Sequence, residues 1–230
     1  MSNRYYLPSS GTRSPNFGVL LAVLCLLIVV APRATASGSA LLVEALFDLV
    51  LVAGAYSVAW RGVQRWPFLA FTALTFLARW CALLFGDFEL ELASAAITVL
   101  WTALVIIAVV GELFRRQQVT TNTIMGAIVA YLLIAVAFAY LYEILERAQP
   151  GSFSGIPEGI SSDQLGDSLI YFSLVTLTTI GYGDIAPVSS LARPVAALEG
   201  ALGTLYLAVM IARLVALHVS SGMNRGKRRK

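Results

Sequence analysis

Charge is scarce in this sequence: Asp, Glu, Lys and Arg make up 13% of its 230 residues, while 58% are hydrophobic and mean hydropathy is +0.80. A soluble domain carries about 25% charged residues, so too few are present to build a water-facing surface, and the chain is expected in a membrane. Cysteine and histidine are equally sparse. Cys25 and Cys81 both lie within apolar runs, which excludes a disulfide scaffold, and the one histidine, His218, with no clustered thiols excludes a zinc site. No paired catalytic constellation is present, so an enzyme is not expected. Nor are there broken apolar segments repeated in two halves, which argues against a transporter.

A bilayer core about 30 Å thick needs roughly 20 helical residues to cross it. Six runs of that kind can be read, at 17–31, 39–59, 66–85, 90–110, 123–145 and 192–219. A further apolar stretch, 165–177, is too short to span. Sorting the loops alternately places Arg4, Arg13, Arg61, Arg65, Arg115, Arg116, Arg225, Lys227, Arg228, Arg229 and Lys230 on one side, with Glu112 as its acid. The other side holds Asp87, Glu89, Glu91, Glu143, Glu146, Glu158, Asp163, Asp167 and Asp184 against Arg33, Arg147 and Arg193. Basic loops stay cytoplasmic, so six spans with both termini inside a plasma membrane fit the asymmetry. The basic tail 220–230, close behind a span, reads as a topology anchor able to touch anionic lipid rather than as a nucleic-acid surface.

The stretch Thr176-Leu177-Thr178-Thr179-Ile180-Gly181-Tyr182-Gly183-Asp184 resembles the selectivity signature of the potassium channel superfamily. A bare Gly-Tyr-Gly would be weak; here threonines precede it, an acid follows it, and an apolar half-helix leads in between two spans. The resemblance covers about residues 123–219. It implies an all-α membrane protein with six transmembrane helices, a re-entrant pore helix at 165–178, a selectivity-filter loop at 179–184 and an inner helix at 192–219. It also implies a homotetramer, since one chain supplies one quarter of a carbonyl ring, with no cofactor beyond permeant potassium. A pore weakly selective among cations remains the alternative.

Potassium entering a narrow pore must exchange its water shell for oxygens, and stacked backbone carbonyls are the nearest substitute. Gly181 and Gly183 can take the left-handed angles that such a stack needs. Potassium is expected at the carbonyls of Thr179, Ile180, Gly181 and Tyr182, with the Thr179 hydroxyl as innermost ring and Gly183 closing the motif. Thr176, Thr178, Tyr171 and Asp184 are expected to support the filter, Tyr171 standing where the family often carries an aromatic donor that restrains the aspartate. Val175 stands where some bacterial members carry a buried glutamate. Glu199, roughly 10 Å down the last span at the helical rise, is a replacement whose buried carboxyl is structural, tunes the filter or contacts ions. Gly203 is either a hinge or a close-packing glycine. Thr204, Leu207, Ile211 and Val215 form a stripe able to line a gate that closes by dewetting.

The segments before the pore are expected to be an N-terminal tail (1–16), a four-helix membrane domain (17–110) and a cytoplasmic linker (111–122). Voltage sensing needs several charges crossing the field, each worth about 2.3 kcal/mol per 100 mV. The fourth run, 90–110, contains no Lys or Arg, so strong voltage gating is not expected. The charges inside the first four runs are Glu44, Asp48 and Arg79, at depths of about 8, 13 and 9 Å. They are expected to form an ion-pair network, with a sensor site for protons, a cation or a small ligand as the alternative. His218 could titrate near neutral pH, but a surface position is favoured.

Overall fold

A computed structural model describes residues 16–36, 39–59, 65–157 and 159–227. Arg4, Arg13, Arg61, Glu158, Arg228, Arg229 and Lys230 lie outside the described residues, as do the side chains of Arg65, His218, Arg225 and Lys227. The described residues form helices α1 (Phe17–Ala36), α2 (Ala40–Ala59), α3 (Arg65–Phe85), α4 (Phe88–Arg115), α5 (Thr121–Ala148), α6 (Ser162–Leu177) and α7 (Ala192–Lys227). Two short strands, β1 (Phe153–Ser154) and β2 (Ala186–Pro187), pair antiparallel.

Several helices outrun the apolar stretches that announce them. Hydropathy marks where lipid is tolerated, whereas the backbone ladder continues until a cap or a turn stops it. α6 begins at Ser162 rather than 165 because Ser161 and Gln164 form a reciprocal capping box, each side chain bonding the other's backbone N–H. Thr120 and Thr123 do the same for α5. α1 passes through Pro32, which removes one N–H, and continues to Ala36.

Five described helices, α1, α3, α4, α5 and α7, are long and apolar enough to cross a membrane. The protein is a multi-pass membrane protein. α2, which carries Glu44 and Asp48, is a further apolar helix of 20 residues.

Lipid tails are as apolar as leucine, so membrane helices associate through close packing and buried polar contacts rather than through expulsion of water. Small residues provide the approach. A Cβ on Gly54 would stand 2.7 Å from the Trp101 ring, and one on Gly126 would stand 2.7 Å from Phe17. Trp101 is fully buried, and its Nε1 donates to Thr72 Oγ1 at 2.9 Å, which ties α4 to α3.

The main buried charge is Arg79 on α3. Its Nη2 donates to both Glu44 carboxylate oxygens at 2.8 Å, and its Nη1 donates to the Tyr140 hydroxyl at 2.7 Å. Its guanidinium carbon lies 3.9 Å from the Phe47 ring centre. Asp48 feels the Arg79 charge but makes no hydrogen bond to it among the described residues, so the three-residue network expected from its spacing is joined there by charge alone. Its Oδ2 accepts from Trp80 Nε1 at 3.0 Å, while its buried Oδ1 has no hydrogen-bond partner among the described residues. Trp80 follows Arg79 in the chain, so the two side chains diverge around α3 and take one acid each.

Replacing one member of a buried pair strands the other charge and typically costs about 3–5 kcal/mol, whereas replacing both is close to neutral. Arg79→Met and Glu44→Gln alone are therefore expected to lower the thermal midpoint of the detergent-extracted protein, and the double variant to recover most of the loss. Simple addition of the two losses would show that the pair does not act as a unit.

Candidate functional site

The pore loop begins where α6 ends. The Thr178 N–H still donates to Leu174 O, but the next donors converge on fewer carbonyls: Thr179 N–H on Thr176 O at 3.0 Å, Ile180 N–H on Val175 O at 3.0 Å, and Gly181 N–H on Val175 O at 3.3 Å. The helix end thus holds the first filter residues through main-chain bonds. From there φ alternates, with positive values at Thr179 (60°), Gly181 (60°) and Gly183 (80°) and none at Ile180 or Tyr182. Thr179 is the one non-glycine residue with positive φ among those described. A β-branched residue in this region costs on the order of 1–3 kcal/mol, a strain that persists only where surroundings impose it. Sequence reading assigned left-handed angles to the two glycines and missed Thr179, whose residue type gives no such signal.

Outside this segment Tyr171, Asp184, Thr176 and Thr178 are placed as follows. The Tyr171 hydroxyl donates to Asp184 Oδ2 at 2.8 Å, and the Tyr171 ring lies parallel to Tyr182, centroids 6.5 Å apart. That hydrogen bond holds the Asp184 carboxyl below the usual carboxylate range. Thr176 supplies the carbonyl that caps Thr179, and Thr178 Oγ1 donates back to Leu174 O at 2.6 Å. The loop after the filter is clamped by segments not singled out from sequence. Phe153 pairs with Pro187 and Ser154 with Ala186, and the Val188 N–H donates to Ser152 O at 2.8 Å. Gly155, with φ of 84°, lies so close beneath the Asp184 carbonyl that a Cβ would stand 1.9 Å from its oxygen.

Behind α6, Glu199 of α7 is completely buried. The Tyr142 hydroxyl donates to one of its oxygens, and Ser173 bonds the other. Ser173 Oγ also donates to Ala135 O at 2.8 Å. One hydroxyl proton thus faces two acceptors, which makes a donor at Glu199 an acceptable partner. Glu199 joins α5, α6 and α7 behind α6 and makes no contact with residues 179–184 among its described bonds. Tyr142, Phe153 and Phe172 surround this region with ring centroids 5.1 to 5.3 Å apart. The Tyr131 hydroxyl adds a bond to Leu177 O at 3.0 Å. Tyr131, Tyr142 and Ser173 were not legible as functional. The sole hint was that an acid in an apolar run requires donors from elsewhere in the chain.

Gly203 of α7 packs against the end of α6, where a Cβ would stand 2.3 Å from Leu177 O. Its close approach is a packing requirement at this position. Thr204, Leu207, Ile211 and Val215 are exposed on α7. α7 is the least covered candidate span: 11% of its most apolar stretch is buried, against 44% for α5. α1 and α4 meet the N-terminal part of α6, at the end away from the pore loop. Thr35 bonds Asp167, Arg147 bonds Glu91 and Glu143, and Ser162 Oγ lies 3.4 Å from Glu91.

A helix that ends at Leu177 is thus followed by a loop in which left-handed residues alternate with ordinary ones. Residues 126–219 match the family model described as Ion channel, so this part of the chain resembles an ion-channel pore domain. The chain is 29% identical over 122 residues to Protein LctB of Bacillus caldotenax, which covers 52% of this chain and 84% of that protein. Protein LctB of Geobacillus stearothermophilus matches with the same identity and coverage. The chain is also similar to the inward rectifier potassium channel Kirbac3.1 of Paramagnetospirillum magnetotacticum, 34% identical over 82 residues, 36% of this chain and 23% of that one. The family match begins in α5 and leaves α1–α4 outside it.

An amide at position 199 can accept from Tyr142 and donate to Ser173, whereas a hydrocarbon leaves the Tyr142 hydroxyl unpaired at about 1–3 kcal/mol and leaves Ser173 its bond to Ala135 O alone. Glu199→Gln is therefore expected to keep the assembled protein's thermal midpoint near wild type, and Glu199→Leu to lower it markedly. Equal losses in both variants would mean that the negative charge itself, not the hydrogen-bond chain, is required.

Proposed function

We propose that this protein is a potassium-selective channel whose pore is assembled from four identical chains. The observation that carries this reading is the alternation of positive φ at Thr179, Gly181 and Gly183 on a segment anchored to a helix end. Such alternation turns successive carbonyls toward one side, so Thr179, Ile180, Gly181 and Tyr182 offer potassium oxygens in place of water. The Thr179 hydroxyl adds the innermost ring. The C-terminal end of α6 contributes partial negative charge that favours a cation. Tyr171, Asp184 and Glu199 act from outside the ion path by holding the loop in shape, with Thr176 and Thr178 closing the helix end that carries it.

A ring of carbonyls requires several copies. The single chain leaves Ile180 and Tyr182 exposed, with Leu207, Ile211 and Val215 on α7, and a fourfold assembly gives these apolar surfaces partners around one axis. The α7 stripe then lines the inner path, where an apolar constriction stops conduction by dewetting. By its name, Kirbac3.1 is an inward rectifier potassium channel, and its match within the pore region favours potassium over a less selective filter.

α2 serves as the sixth span, its acid Glu44 compensated by Arg79. With six spans, the basic loops and both termini lie on the cytoplasmic face of the plasma membrane. α4 carries no basic residue before Arg115 and folds back on α5 of its own chain through the short segment 116–120. The first four helices therefore act as a scaffold around the pore, not as a voltage sensor.

Purified protein in planar bilayers is expected to give currents that reverse near the potassium equilibrium potential in mixed potassium and sodium. Gly181→Ala is expected to abolish them while the chain still inserts and assembles, because a Cβ opposes the left-handed backbone there. Reversal near zero in mixed ions would assign a weakly selective cation pore instead. The conductance is expected to rise only shallowly with voltage; a gating charge near the dozen or so elementary charges of strong sensors would overturn the scaffold role of α1–α4.

A further inference from the structure

Between α4, α5 and α7 lies an open cleft of about 350 Å³, with Ile106 and Phe114 on one wall, Ala137 and Phe138 at its floor, and Leu202 and Val209 on the other wall. Its surface is almost entirely apolar. The Tyr206 hydroxyl, the one polar group on its lining side chains, is already committed to Ala127 O at 2.7 Å. Water therefore finds no partners in it, and an apolar occupant is required. On α7 the cleft positions Leu202, Leu205 and Val209 share a helical face with Arg213, opposite the face of Leu207, Ile211 and Val215. On the reading that the latter face lines the pore, the cleft opens away from the axis, toward lipid and not toward a neighbouring inner helix.

The end of the cleft is cationic. The Arg213 guanidinium carbon lies 4.3 Å from the centre of the Phe114 ring. Its Nη2 donates to Leu113 O at 2.7 Å and to Arg116 O at 3.1 Å, which fixes the group in place and leaves its Nε and Nη1 donors for another acceptor. Arg115 is exposed beside Phe114, while Arg116 is engaged by Glu112. An apolar slot that ends at a positioned guanidinium, with the exposed Arg115 at the same end of α4, matches one chemical class: an acyl chain joined to an anionic phosphate.

We propose that the α4–α5–α7 cleft is a binding site for an anionic phospholipid, its acyl chain lying between Ile106 and Val209 and its phosphate at Arg213 and Arg115. The bound lipid joins α4 to the inner helix α7, so the first four helices reach the gate through it as well as through direct contact.

The test is native mass spectrometry of the assembled full-length protein released from phosphatidylcholine bilayers with and without phosphatidylglycerol. Each arginine near a phosphate contributes about fivefold in affinity, so Arg115→Gln is expected to weaken retained phosphatidylglycerol by that factor without changing phosphatidylcholine. Ala137→Phe, which fills the cleft and leaves the charges untouched, is expected to lose both lipids from this site. Arg213→Gln is expected to lose phosphatidylglycerol more severely than Arg115→Gln. Retention of phosphatidylglycerol at wild-type levels in both Arg115→Gln and Ala137→Phe would overturn the proposal. So would an Ala137→Phe protein whose lipid retention is unchanged but whose assembly is broken, since a neighbouring chain would then be the occupant. Lipid retention is read without any current, so failure of the site and failure of potassium selectivity are separately visible.

Discussion

A polypeptide that leaves its helix inside a membrane must find partners for its freed N–H and C=O groups, and the rest of this structure answers that constraint. α6 stops at Leu177, and the next N–H groups turn back onto Thr176 and Val175 carbonyls instead of facing lipid. The carbonyls of the following residues are left without helical donors, which is a liability in hydrocarbon and an asset beside a cation. Everything packed against this loop restricts it to one conformation. Tyr171 fixes Asp184 from the side, β1 and Gly155 fix the return strand, and α7 closes on the helix end through Gly203.

The same logic explains why polar groups are buried in an otherwise apolar chain. Glu199, Ser173 and Tyr142 join α5, α6 and α7 at one point, and Arg79, Glu44 and Tyr140 join α2, α3 and α5 farther out. Between lipid-like surfaces, leucine packing gives little preference for one register over another. A hydrogen-bonded cluster at membrane depth has few alternative arrangements, so each such cluster sets a rotation and a height for the helices it joins. The glycines act in the complementary way, by permitting approach where a methyl group would collide.

The parts governed by composition and local chemistry were legible in the sequence. Apolar runs located the starts of the long helices to within two residues but fell short of several ends, by eight residues at α7, and the Thr-Thr-Ile-Gly-Tyr-Gly-Asp stretch located the loop, because glycine at two alternate positions carries its backbone preference openly. What escaped depended on distant residues meeting. Thr179 adopts a left-handed angle that its own side chain opposes, so tertiary context overrides local preference there. Asp48 shares a helical spacing with Glu44, yet Trp80 and not Arg79 donates a hydrogen bond to it. Tyr142 and Ser173 lie 57 and 26 positions from Glu199, and no local pattern connects them.

The central claim is that four copies of the Thr179–Tyr182 backbone meet around one axis and strip a potassium-sized ion of its water. A structure of the assembled protein prepared in thallium, an electron-rich ion of similar size, tests this most directly. The account predicts four chains about an axis with thallium density between successive rings of Thr179, Ile180, Gly181 and Tyr182 oxygens. Assembled chains whose filter segments do not face one another, or a facing filter with no ion density along it, would contradict it.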